Sequence, residues 1–407
     1  MTMTTPTATR SPLDRLDGIG LPTKRDEAWR YAPHRLLGEL TFGPSASLPD
    51  GLELDLDARL AVLDGPRIVV VNGVVDHDRS ALPAVDGLTV SALAAAPADA
   101  VRLHSERSDD EISDAYMALD LAYGTDGAFV DVAAGAGVDV PIHVVHIAVP
   151  DATANTSSSG VLIRLGAGSS ATVVESRIGV GDDVGGSNVR TTIVLGDDAT
   201  LEHVVVQDLP SAQVHLGRIE IHQGAASTLC ARSFNLGAAY GRLAYHVELD
   251  GAGANAELSG LYFGVGDQTL DQQLTVVHAQ PDCTSRQLFR GVLDDASTGV
   301  FNGGIDVRPG ADGTDAEQAN DNLLLSNRAE ANTQPRLEIL ADEVACKHGA
   351  TVGQLDDTAL YYLRTRGIAA DEARRLLING FADQVVDDVS IDALREWITR
   401  RLGHDHD

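Results

Sequence analysis

The chain has 407 residues, with 60 acidic against 30 basic side chains and a formal net charge of −30. Phosphate backbones and anionic lipid repel such a chain, which excludes nucleic acid and a membrane surface as partners and makes solubility the plain reading of the charge. Hydrophobic residues make up 43%, aromatics only 4%, and glycine reaches 40 residues, which suits many short Val/Ile/Leu/Ala strands turned by glycine rather than a helical bundle.

Three cysteines without a CxxC pair do not build a disulfide scaffold. The opening MTMTTPTATRSP lacks the apolar segment of a secretion signal, and no run approaches the ~18 apolar residues of a membrane span. The expected location is the reducing cytoplasm. Residues 1–12 read as a disordered tail. Residues 13–126 read as a mixed N-terminal region. It holds helix and turn signals through LPTKRDEAWRYAPH (21–34), a small α/β stretch around RIVVVNGVV (67–75), and a helix in DEISDAYMALDLAYG (110–124).

From 127 to 350 the texture changes. A small residue follows a Gly-containing turn at Ala171, Ala199, Ser227, Ala256 and Thr284, in steps of 28, 28, 29 and 28 residues, and one more step reaches Asp312. The strands before the turns, among them TTIVLG, RIEIHQ and HVELDG, alternate in polarity as half-buried strands do. A near-constant period with two strands per unit predicts stacked coils, a β-solenoid. The competing reading is a large antiparallel sandwich, whose turns would fall every 8–12 residues or so and rarely keep a longer register.

After Gly353 the period turns helical. LDDTALYYLRTRG (355–367) has Asp356 as an N-cap, Leu360, Tyr361 and Leu363 on one side, and Gly367 as a stop. AADEARRLLINGF (369–381) places Ala373, Leu376, Leu377 and Phe381 at helical spacing, and SIDALREWITRRL (390–402) has Ser390 as N-cap before Ile391, Leu394 and Ile398. Residues 351–407 therefore read as a C-terminal helical domain. Its apolar stripes pack on one another or on the solenoid, and such an appendage is also a docking handle.

No Walker A motif, GxSxG, HExxH or protein-kinase set is present. GVGDDVGG (179–186) is Gly-rich but fits a solenoid loop better than a phosphate cradle. Cys230 and Cys283 read as small buried hydrophobes. An iron–sulfur cluster usually takes four thiolates, so three scattered cysteines would need a second chain to complete one. In ACKHGAT (345–351), Cys346 and His348 are two apart, which on a strand puts both on one face. Three readings stand here: a thiolate–imidazole pair suited to Fe or Zn, a packed cysteine beside a capping histidine, and a nucleophile with its base. His143 and His146 in PIHVVHIAV face opposite sides of a strand and read as structural. The terminal GHDHD reads as a solvated tail, with weak metal binding as its alternative.

With the repeat, the helical tail and ACKHGAT in hand, the sequence resembles the SufB/SufD family of iron–sulfur cluster assembly proteins. The strongest match is the block from NDNLLLSNRAEANTQPRLEILADEVACKHGAT through ALYYLRTRG and ARRLLINGFADQV (320–385). LPTKRDEAWRYAPH resembles the N-terminal signature of the SufD branch, and LTVVHAQPDCTSRQLFRGVLDDASTGVFNGGIDV (274–307) is also similar. Together these cover roughly a third of the chain. CKHGATVGQLD, with Lys347 where relatives often carry a small hydroxyl residue, points to the SufD side of the family.

The resemblance implies a mainly β fold: a right-handed parallel β-helix with an N-terminal α/β segment and a C-terminal helical domain. It implies a non-enzymatic scaffold that pairs with SufB through the ends of the β-helices. It also implies one SufC ATPase bound at the C-terminal helices, around Leu360, Tyr361, Leu363, Arg366, Leu376, Leu377 and Phe381. His348, with Cys346 beside it, would then form the iron or cluster site at the SufB interface. The isolated chain would hold no tightly bound cofactor, only transient iron or a nascent cluster in the complex, and without SufB it could pair with itself. The rival is a β-helix carbohydrate-active enzyme, a lyase or hydrolase, which needs carboxylates stacked with a Lys or Arg on adjacent coils. Stepping by 28 gives Asp198, Ala226 and, one residue further, Asn255, which is no such ladder.

Overall fold

The computed structural model describes residues 11–43, 54–106 and 112–404. Of the tail expected at 1–12, residues 1–10 lie outside the described residues. Ser11 caps the helix Pro12–Ile19, in a capping box with Asp14. The helix expected at 110–124 runs Ala115–Tyr123, with the Asp114 carboxylate accepting from the backbone N–H groups of Tyr116 and Met117.

The body is a parallel β-solenoid of two facing ten-stranded sheets. Successive strands alternate between the sheets, so each coil supplies one strand to each. The first sheet ends in Thr269–His278, Thr298–Val307 and Glu330–Ile339, and the second in Thr284–Leu293, Asp315–Leu324 and Ala345–Gln354. Side chains alternate between the inside and the outside of the coil. One inside column stacks Ile163, Ile193, Ile221, Val247, Val276 and Ile305, all fully buried. Each such side chain contributes about 1.5–3 kcal/mol of burial.

The strand starts Ser170, Thr200, Thr228, Asn255, Thr284, Asp315 and Ala345 stack on one another. The coil is therefore not a constant 28 residues: Thr228 to Asn255 is 27, and Thr284 to Asp315 is 31. Strand length is nearly fixed, while the turns vary. Residues 196–199 suffice between Leu195 and Thr200, but 308–314 bridge Val307 and Asp315. The true stack at the turn is Ser169, Ala199, Ser227, Ala254, Cys283 and Thr314, all buried. Ala171, Ala256, Thr284 and Asp312 are each one or two residues out of that column. The residue before each small one has a positive φ, and it is glycine at 168, 253 and 313 but Asp198, Ala226 and Asp282 elsewhere. Cys283 is thus a small buried residue, as expected. Cys230 is not: it lies half-buried on the outer face, its Sγ 3.8 Å from Glu257 Oε2.

The two ends of the solenoid differ. At the first, Arg67–Val71 joins the second sheet in parallel with Ile142–Ala148, and the antiparallel Val74–Val75 covers its edge. The antiparallel Leu88–Ala92 closes the first sheet. At the other end, among the described residues, Glu330–Ile339 and Ala345–Gln354 pair only with the coil below.

The chain then folds back. The helix Asp357–Thr365 is capped by Asp356 and stopped at Gly367, as expected. The helix Ala370–Val386 lies over the outer face of the second sheet, where Ile378, Ala382, Val385 and Val386 cover Phe234, Leu261, Phe263 and Val292. Its buried stripe runs Ala373, Ile378, Ala382 and Val385, not Ala373, Leu376, Leu377 and Phe381. The helix sits on a flat sheet rather than in a bundle, so Leu376 is left outside, and Phe381 packs on Arg290 at the margin. The last helix, Asp392–His404, buries Leu394 and Ile398 as expected. Ser390 is not its cap: its hydroxyl donates to Glu202 on the second sheet, and Ile391 stands directly before the helix. No helix among the described residues is long and apolar enough to cross a membrane.

Candidate functional site

ACKHGAT occupies the start of the last strand, Ala345–Gln354. The register sets Cys346 beside Ala316, Lys347 beside Glu317 and His348 beside Gln318. Ala316 and Gln318 are buried inside the coil, so Cys346 and His348 both extend inside columns. They share one face, as their spacing requires. Lys347 points the other way, and its Nζ lies 2.9 Å from Glu317 Oε2 on the outer face. The ammonium therefore does not stand beside the pair.

Cys346 packs with Leu337, Ala341 and Val344 against Ile305, Val307 and Ala316. This partial burial pushes its thiol pKa up, which favours the protonated form. His348 is exposed. Among the described residues, the groups of three or more convergent His, Cys, Asp and Glu donors do not include this pair. The terminal coil sets two potential donor side chains on one face, one soft and one borderline. Among the described residues, a nucleophile–base reading lacks a group that orients the imidazole.

Around the pair lies the open end of the solenoid, the expected pairing surface. Among the described residues, two successive ten-residue strands leave one side of their backbone ladders unpaired, and Ile339, Leu340 and Val352 (50% exposed) add apolar area. An unpaired edge is a template for another strand. The sequence signal is the loss of the repeat beyond Gly353, and among the described residues no further strand pairs with the last coil.

The other expected residues divide by exposure. On the C-terminal helices Tyr361 (70% exposed), Arg366 and Leu376 (48% exposed) face solvent. Leu360, Leu363 and Leu377 are half-buried. The Arg290 guanidinium lies 4.5 Å over the Phe381 ring, so that ring is committed to the solenoid. His143 and His146 are structural: they bond Ser176 and Ser159, and burial lowers their pKa values to about 3 and about 4. The motif LPTKRDEAWRYAPH anchors to the first sheet. Trp29 is buried 3.9 Å from the Arg242 guanidinium, which also pairs with Asp271, and Glu27 bonds Gln334 on the terminal strand.

The correct register also exposes an outer row that steps of 28 hid: Glu202, Cys230, Glu257, Arg286, Glu317 and Lys347. Glu317 bridges Arg286 at 3.9 Å and Lys347 at 2.9 Å, so these charges neutralise one another. The row's last three members form a chain of ion pairs rather than the carboxylate cluster that sugar cleavage needs.

Residues 148–381 match the family model described as SUF system FeS cluster assembly, SufBD core domain. The chain is 29% identical to the iron–sulfur cluster assembly protein SufD of Escherichia coli K12, over 96% of this chain and 90% of that one. It is 28% identical to an iron–sulfur cluster assembly SufBD family protein of Synechocystis, over 94% and 87%. A SufBD family protein of Mycobacterium tuberculosis H37Rv is 37% identical over 52% of this chain and 55% of its own length.

Proposed function

Because the chain belongs to the SufBD family of the SUF iron–sulfur cluster assembly system, we propose that it is a SufD-like, non-enzymatic scaffold subunit working in the cytoplasm. It pairs with SufB through its terminal coil and carries one SufC ATPase on its C-terminal helices. His348, with Cys346 beside it, supplies half of a shared site where iron and sulfur are assembled into a nascent cluster.

One observation carries this reading. Two donors sit on the inside columns of a coil whose strands both have an open edge. A partner solenoid stacking there would cover the edges and complete the donor set in one step. Cargo that must be handed on suits a site split between chains, because parting the chains removes half of its ligands. The raised thiol pKa of Cys346 fits a ligand that loses its proton only when metal and partner arrive. In SufB's absence a second copy would meet the same edges.

The test is anaerobic co-expression with SufB and SufC, followed by iron and sulfide analysis of the purified complex. His348→Ala should leave the complex intact and reduce iron and sulfide by about tenfold. Unchanged iron and sulfide would remove His348 from the site. For the ATPase, Tyr361→Asp with Leu376→Asp should abolish SufC co-purification while SufB is retained. Deleting the helices is no substitute, since Ile378, Ala382 and Val385 cover the sheet.

A further inference from the structure

A cluster of side chains with metal-ligand donor atoms lies on the outer face of the first sheet, away from the terminal coil. His222 and Glu248 are paired neighbours on Val214–Gln223 and Tyr240–Leu249, and Asp250 follows the second strand. His222 Nδ1 is 3.0 Å from Asp250 Oδ2 and 3.6 Å from Glu248 Oε2, and all three donor atoms lie within 4.8 Å of one another. The other Glu248 oxygen, Oε1, is held by His246 Nε2 at 2.9 Å.

Two carboxylate oxygens converge on one imidazole nitrogen. That nitrogen can carry one proton, and one proton cannot serve two acceptors well. A divalent cation could satisfy all three lone pairs. An ion bound at about 2.0–2.2 Å to imidazole nitrogen and carboxylate oxygen needs its ligand atoms roughly 2.9–3.6 Å apart, for cis-octahedral or tetrahedral angles. The two distances to His222 fall in that window. His246 fixes the orientation of Glu248 from behind, as outer groups do around bound metals. All three donors are partly exposed, which leaves room for water ligands.

We propose that His222, Glu248 and Asp250 bind one borderline divalent ion of the Fe²⁺, Co²⁺ or Zn²⁺ type, with His246 as the positioning residue. One nitrogen and two hard oxygens suit such ions better than Ca²⁺ or Cu⁺. Glu248 belongs to the column Glu248–Val277–Asp306–Glu338, so the site lies three coils, or ~14 Å, from the last coil. It is independent of the shared half-site.

Co²⁺ titration of the full chain, followed by its visible spectrum, tests this. Wild type should bind one equivalent with weak ligand-field bands and no thiolate charge-transfer band. Asp250→Asn and Glu248→Gln, both near-isosteric and on the surface, should each weaken binding about tenfold or more with the circular dichroism unchanged. His404→Ala with His406→Ala, which removes the tail imidazoles, and His348→Ala should leave this binding unchanged. The proposal is overturned by no binding up to about 1 mM Co²⁺, by Asn and Gln variants within about twofold of wild type, or by binding that disappears with the tail histidines or His348.

Discussion

The middle coils and the last coil share one strand design and differ in what lies above them. In the column Ile163, Ile193, Ile221, Val247, Val276 and Ile305 every side chain is fully buried, yet the next member, Leu337, is half-exposed. Gln287 and Gln318 are buried, and the next residue in their column, His348, is in solvent. Burial in a solenoid is conferred by the neighbouring coil, not by a strand's own pattern. The first coil is closed by antiparallel strands, while among the described residues the last is left open, so the same design closes the fold in one place and leaves strand edges free in the other.

The middle of the solenoid is where that contrast predicts the largest losses. Glu175 is fully buried inside the coil, where it accepts from Arg177 at 2.9 Å, Thr191 at 2.9 Å and His203 at 2.8 Å. Glu175→Gln strands the buried Arg177 guanidinium without its counter-charge. Denaturant unfolding should show a loss of about 3–5 kcal/mol. A loss below about 1 kcal/mol would mean the network is hydrated, and the middle coils would then resemble the last one more than the structure indicates.

Acid should act next most strongly, and again through the middle. Burial lowers the pKa values of His143 to about 3 and of His146 and His278 to about 4, and holds His215 well below the usual imidazole range, so all four stay neutral in the fold while the unfolded chain protonates near 6.5. The unfolded state then binds more protons, and stability present above pH 6.5 is lost as pH falls toward 4. Asp120 opposes this. Burial raises its pKa to about 6, so its contribution is favourable at low pH and fades as pH rises from about 4 through 6. Four histidines against one aspartate leave a net loss of about 4 kcal/mol between pH 7 and 5.5. His278→Gln should remove about a quarter of the histidine part. A pH-independent denaturation midpoint over this range would mean that the interior histidines do not resist protonation.

Much of this was legible in the sequence because solenoid strands are local and regular. Alternation gave the strands, Asp356 and Gly367 gave the ends of a helix, and ACKHGAT fell on the last coil. Register was not legible, since it depends on turn lengths that vary from coil to coil. Stepping 28 from His222 lands on Asp250, whereas the strand neighbour is Glu248, so a fixed step aligns only two of the three donors and the cluster of three emerges only from the register. The Leu376 and Phe381 stripe failed for a related reason. Helical spacing says which residues share a face, but not whether a sheet beneath buries that face. Openness at Ile339, Leu340 and Val352 is set by whether another coil stacks on theirs, and no local pattern encodes it.

The smallest expected effect on stability belongs to the terminal coil, and it separates the two regions most sharply. Val352 stands next to the buried Asn322 in an inside column but is itself half-exposed. Val352→Lys should change the unfolding free energy by less than about 0.5 kcal/mol, as an exposed substitution does. A lysine on an open edge blocks strand addition, so the proposed end-to-end pairing with SufB or with a second copy should be lost. Light scattering of the isolated chain and co-purification of SufB read this directly. A destabilisation above about 2 kcal/mol would show that something in the folded chain covers this edge. Pairing that survives the lysine would move the interface away from the last coil, and the half-site at His348 would lose the neighbour it needs.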